Sequence, residues 1–137
     1  MGQQQLLLVI LVTIIVGIAT VVAINTFGAA ADSANVDAVR GDLVALAASA
    51  QGFYMKPEML GGGGRSFVGI TFYDFTFPGT IVDGNEATNE NGVYSLGTAS
   101  ATGLAICAEP ESGGSITINV EPNDATMTAY DPAGDCA

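Results

Sequence analysis

Cys107 and Cys136 are the residues of this chain with the plainest chemistry to offer. Both lie toward the C-terminus, in sequence rich in Gly, Thr, Ser and Asn, and downstream of a hydrophobic segment. A disulfide formed outside the cytoplasm is the economical reading. Two unrelated buried thiols are the alternative, but Cys136 is the penultimate residue, where a free thiol would be exposed. By loop-closure entropy such a bridge contributes about 3 to 4 kcal/mol. The other oxygen-rich stretch, "DGNEATNEN" from Asp83 to Asn91, could ligate calcium, but its spacing is not that of an EF-hand loop, and a solvated turn is the simpler reading. The same holds for Asp124, Asp131 and Asp135.

Other chemistry is excluded by composition. The chain has no histidine, hence neither the usual general base nor the usual zinc ligand. Lys56 is the only lysine, so no nucleophile and base can be paired. We expect no catalytic residues, no metal site and no cofactor. "RGD" at Arg40 to Asp42 falls inside a predicted helix, where it reads as an incidental solvated face. The glycines at 61 to 64 lack the lysine and the preceding strand of a phosphate-binding loop, and read as a hinge or spacer. Fourteen Asp and Glu against three Lys and Arg give a net charge of -11, which argues against nucleic acid or anionic lipid headgroups as partners.

These residues hang on two kinds of element. Leu6 to Ile24 is nineteen residues without a charge. As a helix it spans about 28 Å, close to the thickness of bilayer hydrocarbon. "MGQQQ" lacks the basic start of a secretory signal, and no small-x-small cleavage site interrupts the helical pattern. Farther on, Val36, Val39, Leu43, Leu46, Ala50 and Phe53 recur in steps of three and four, one apolar stripe on a helix that Asp32, Asp37, Arg40 and Asp42 mostly avoid. No proline precedes Pro57, so a single helix from about Gln4 to about Tyr54 is predicted, apolar all round in its first half and amphipathic in its second. "KPEMLGGGGRS" ends it.

The period then changes. "SFVGITFYDFTF" places Phe67, Ile70, Phe72, Tyr73, Phe75 and Phe77 in a β-prone run, and "PGTIVDGNEATNENG" is turn chemistry. Four short runs follow, "VYSLGTA", "GLAICAE", "SITINVE" and "ATMTAYD", separated by Gly, Pro, Asn and Asp. They predict an antiparallel meander of four to five strands with one buried face, covered by the helix stripe. The fold class is α+β: a long N-terminal helix whose C-terminal half packs on a small antiparallel sheet.

A hydrophobic N-terminal helix turning amphipathic, a small antiparallel sheet and a C-terminal disulfide resemble a type IV pilin or pseudopilin. The resemblance implies cleavage by a prepilin peptidase after Gly2, making Gln3 the first mature residue and residues 1–2 the leader. It implies a hydrophobic helix over 3–27 that spans the inner membrane before assembly. A globular domain over 28–137 would follow, with its amphipathic helix at 28–54, a Gly-rich loop at 57–65 and the sheet at 66–137. The filament core would be Leu6, Leu7, Leu8, Val9, Ile10, Leu11, Ile14, Ile15, Ile18, Val21 and Val22; Val36, Val39, Leu43, Leu46 and Phe53 would bind helix to sheet. The sequence departs from the bacterial pattern at Leu7, where many pilins carry a glutamate that pairs with a neighbour's amine; the neutral Gln3, Gln4 and Gln5 would either form amide hydrogen bonds between subunits in its place or simply sit at the headgroup level.

The implied function is a structural subunit of an extracellular helical filament on the cell surface, a homopolymer raised by an assembly machinery from a membrane-inserted precursor. Bundled helices would each bury about 1,500 Å² of apolar side chain, tens of kcal/mol at about 25 cal/mol per Å². Lipid satisfies the same surface, so burial alone does not drive extraction from the bilayer. Two alternatives carry the same features: a single-span membrane-anchored binding or sensor module, and a minor pseudopilin of a secretion system.

Overall fold

A computed structural model describes residues 2–136, so Met1, in the expected leader, lies outside the described residues. The chain divides into two compact units, the first ending at Ala34 and the second beginning at Asn35. A single α-helix, α1, runs Gly2–Met55.

The first unit consists entirely of this helix, and every one of its described residues is exposed. Its three threonines would be polar defects on an apolar rod. Each returns its hydroxyl to the preceding turn: Thr13 Oγ1 donates to Ile10 O at 2.8 Å and Val9 O at 2.9 Å, Thr20 to Val16 O at 2.7 Å, and Thr26 to Val22 O at 2.9 Å. All three threonine hydroxyls are thereby bonded within the helix itself.

The second unit sets the remainder of α1 against one six-stranded antiparallel sheet: β1 Thr80–Ile81, β2 Glu86–Thr88, β3 Gly92–Ala99, β4 Leu104–Pro110, β5 Ile116–Val120 and β6 Ala125–Met127, in spatial order identical to chain order. The helix lies on β4 and β5. Alternation selects the buried face: Leu104, Ile106 and Ala108 on β4, paired with Val120, Ile118 and Ile116 on β5. These join Val36, Val39, Leu43, Leu46, Ala47 and Ala50 in a single core, with Phe53 packed at its margin.

Six strands form where four to five were expected, because the segment read as turn chemistry holds two very short strands. Ala87 is the only fully buried side chain of β1 and β2, so their pattern is too brief to alternate visibly. The aromatic run before them is not a strand. Phe72–Asp74 is a 3-10 turn closed by a reciprocal cap, in which the Asp74 carboxylate accepts from Thr71 N at 2.9 Å and Thr71 Oγ1 at 3.0 Å. Phe67, Ile70, Phe72 and Phe75 still reach the core, but from an irregular backbone.

The glycine loop is a helix cap rather than a hinge. Pro57 stops α1, and the chain folds back so that Gly63 N donates to Phe53 O at 2.9 Å, Gly64 N to Lys56 O at 3.0 Å and Arg65 N to Tyr54 O at 2.9 Å. Three carbonyls that a helix end leaves orphaned are thereby satisfied. Contact is close enough that a Cβ at Gly63 would stand 2.7 Å from the Phe53 ring and overlap the Ser66 carbonyl. Gly63→Ala is expected to lower stability by about 1 to 3 kcal/mol. Gly52→Ala, on an open helical position with nothing within 4 Å, is expected to raise it by up to about 1 kcal/mol. Denaturant midpoints of the two variants, measured side by side, check both signs.

Candidate functional site

Three features of the chain can carry function: the apolar surface of the first unit, a polar cluster on the second, and the disulfide.

The expected filament-core residues all fall on the exposed part of α1, from Ile10 at 48% to Leu7 at 65% exposure. Gly2 and Gln3, the expected processing site, are its first described residues, helical and exposed. Nothing within the first unit shields this surface, which by length and composition fits a transmembrane helix. Of the residues expected to bind helix to sheet, Val36, Val39, Leu43 and Leu46 are buried and Phe53 is half-buried.

The polar cluster is centred on Asp42. Its Oδ2 accepts hydrogen bonds from Tyr94 OH at 2.6 Å, Asn89 Nδ2 at 2.9 Å and Asn91 Nδ2 at 2.9 Å. Partial burial raises the carboxyl's pKa, but the three donors outweigh it and hold it below the ordinary value of 3.8. Burial, reinforced by the bond to Asp42 and its charge, pushes the Tyr94 phenol well above its ordinary 10.0. The donors are placed by a tight turn in which Asn89 Oδ1 accepts from Asn91 N at 2.9 Å and Gly92 N at 3.2 Å. A shallow groove opens beside them, lined by Pro78, Thr80 and Glu90 among others.

Asp42 is therefore not the solvated residue its "RGD" context suggested. Arg40 turns the other way to Asp37, at 2.9 Å. The available signal was position: Asp42 stands three residues after Val39 and one before Leu43, on the border of the apolar stripe. Its partners lie 47 to 52 residues away in sequence, and no local pattern could name them. Of the oxygen-rich stretch, Asp83 is occupied by its own backbone, its Oδ1 accepting from Asn85 N at 2.7 Å and Glu86 N at 2.9 Å. Among the described residues no three His, Cys, Asp or Glu side chains gather as a metal site.

Cys107 and Cys136 form the expected disulfide. Cys107 sits on the face of β4 turned away from α1, between Ser95 and Thr117 of the neighbouring strands. The tail reaches it after an isolated bridge just before β5, where Asp131 and Ser115 exchange backbone hydrogen bonds at 2.9 and 3.0 Å, and Cys136 N donates to Glu109 Oε1 at 2.7 Å. Comparison with protein-family models gives no match, and neither curated proteins nor solved structures give one. The layout, a long apolar N-terminal helix on an antiparallel sheet, is compatible with a pilin. Replacing both cysteines by serine is expected to remove about 3 to 4 kcal/mol of stability. Thermal unfolding with and without reductant checks it, and reductant should change nothing in the double variant.

Proposed function

We propose that this chain is the structural subunit of an extracellular filament of the type IV pilus kind, polymerised through side-by-side packing of its apolar helices. The observation that carries the reading is the continuity of α1: one uninterrupted helix supplies both a fully exposed uncharged surface over Leu6 to Ile24 and the core face of a disulfide-bonded domain. A plain anchor needs the first property but not the continuation of the same helix into the second.

The apolar surface requires cover, since exposed apolar area on this scale is not stable in water. Before assembly, lipid covers it; after assembly, sister copies do. Val9, Ile10, Ile14, Ile15, Ile18, Val21 and Val22 are β-branched and stiff, so ordering them in a bundle forfeits little side-chain entropy. Gly17, with nothing within 4 Å of its Cβ direction, leaves room for close approach of another helix. The acidic domain surface keeps finished fibres apart.

The test is electron microscopy of material sheared from cells that express the full chain, with mass spectrometry of its N-terminus. Fibres built of this chain and beginning at Gln3 support the proposal. A chain recovered only as detergent-requiring monomers, with no fibre, would falsify it and favour the anchored binding module. Fibres too few to shear but present with a secretion complex would assign the minor pseudopilin role.

A further inference from the structure

The second unit has two ends that differ in composition: both carry carboxylates, but only one carries basic side chains. In a six-stranded meander the turns alternate, so the β2–β3 and β4–β5 turns share one end and the β3–β4 and β5–β6 turns share the other. Asn35 marks the first end, donating to Asn91 O at 2.8 Å and accepting from Ser112 N at 3.0 Å. Gln51 marks the second, donating to Glu121 O at 3.1 Å. The Gly-rich cap places Lys56 and Arg65 at that second end, and among the described residues neither has an ion-pair partner. They are two of only three basic residues in a chain of net charge -11. Around them stand exposed apolar side chains: Met55 at 68%, Met59 at 97% and Leu60 at 66%. Glu58 also stands there, and Glu121 and Asp124 flank the neighbouring turn. At the first end Glu90 and Glu111 are exposed on adjacent turns, joined by Glu111 N donating to Asn91 O at 2.9 Å.

We propose that the Met55–Arg65 end of one copy docks on the Glu90 and Glu111 end of the next, a head-to-tail contact that pairs Lys56 and Arg65 with those carboxylates and covers Met59 and Leu60. The occupant is a second copy because this chain is itself the acidic partner that its two free cations require. A contact between opposite ends of one unit is heterologous, and repeats without closing into a ring unless the rotation between copies closes it. Exposed ion pairs contribute little each; the apolar cover supplies affinity and the charges fix the direction of stacking.

This inference rests on the filament reading, and the experiment separates the two. Because Lys56 is the only lysine, zero-length carbodiimide coupling of intact fibres can join a carboxylate only to Lys56 or to the N-terminal amine. The expected product is an intermolecular amide between the peptide holding Lys56 and one holding Glu90 or Glu111. Fibres in which Lys56 couples only to other carboxylates, or not at all between copies, overturn the head-to-tail contact and leave the filament reading standing. Lys56→Glu with Arg65→Glu is expected to reduce sheared fibre at least tenfold while the subunit keeps its disulfide and its membrane level. Adding Glu90→Lys and Glu111→Lys is expected to restore it. Undiminished fibre in the first variant, or no recovery in the second when its unfolding midpoint matches the parent's, also overturns the contact. Absence of fibre from the unaltered chain overturns the filament reading itself.

Discussion

Ile15→Asp is expected to abolish fibres while leaving the subunit in the membrane. Ile15 is the central residue of Leu6 to Ile24 and is 56% exposed on the bare helix. In lipid, one carboxylate at the centre of a span costs about 3 kcal/mol by insertion scales, since the bilayer thins and water follows the charge. A span this apolar tolerates that penalty. In a helix bundle the same substitution recurs at every subunit, so like charges face one another in a dry interior where neither hydration nor a counter-charge is at hand; the first unit has no basic residue to answer it. Cell fractionation followed by microscopy of sheared material checks the result. Abundant fibres of the variant would show that this face of α1 is not buried between copies.

Among single substitutions, Asp42→Ala is expected to have the largest effect on the folded domain itself. It strands the phenol of Tyr94, which is fully buried, and two half-buried amides. A loss of about 2 to 4 kcal/mol follows from one buried donor left without an acceptor and two that can only partly reach water. Tyr94→Phe removes donor and need together, and is expected to cost less. The pH dependence has a definite sign. Asp42 has a folded pKa below its ordinary 3.8, so its contribution is complete above about pH 5 and is lost as pH falls through the folded value. Tyr94 has a folded pKa above 10.0, so its contribution holds below about pH 9 and is lost as pH rises through the folded value. Denaturation midpoints across pH 2 to 11 should therefore be less acid-sensitive for Asp42→Asn than for the parent.

The parts of the fold that were legible are those governed by repetition. Val36, Val39, Leu43 and Leu46 announce a helix face by spacing, and Ile116, Ile118 and Val120 announce a half-buried strand by alternation; each is buried as expected. What repetition could not convey is chemistry between distant residues. Asp42 looked like a solvated carboxylate because its three donors lie on another element, and Asn89 and Asn91 looked like turn residues because they are turn residues as well as ligands of Asp42. The aromatic run misled because its composition favours strands, while Thr71 and Asp74, three residues apart, close a 3-10 turn within it. The glycines 61 to 64 spelled flexibility, yet all four amides are spent, Gly61 and Gly62 on the carbonyls of Glu58 and Pro57 and Gly63 and Gly64 on those of Phe53 and Lys56 at the end of α1. Function was legible only as far as the apolar surface that needs cover.

The bridge from Cys107 to Cys136 also sets how the molecule yields under tension. Pulled from its two termini, the chain transmits load straight across the sulfurs, so the 29 residues of sequence separation between them, which include all of β5 and β6, stay slack. About 100 Å of contour is thereby withheld from any stretch, at roughly 3.5 Å per extended residue. A chain strained in this way would lengthen by surrendering only the helix and the strands up to Cys107, and would recoil onto a covalently closed remnant already threaded for refolding.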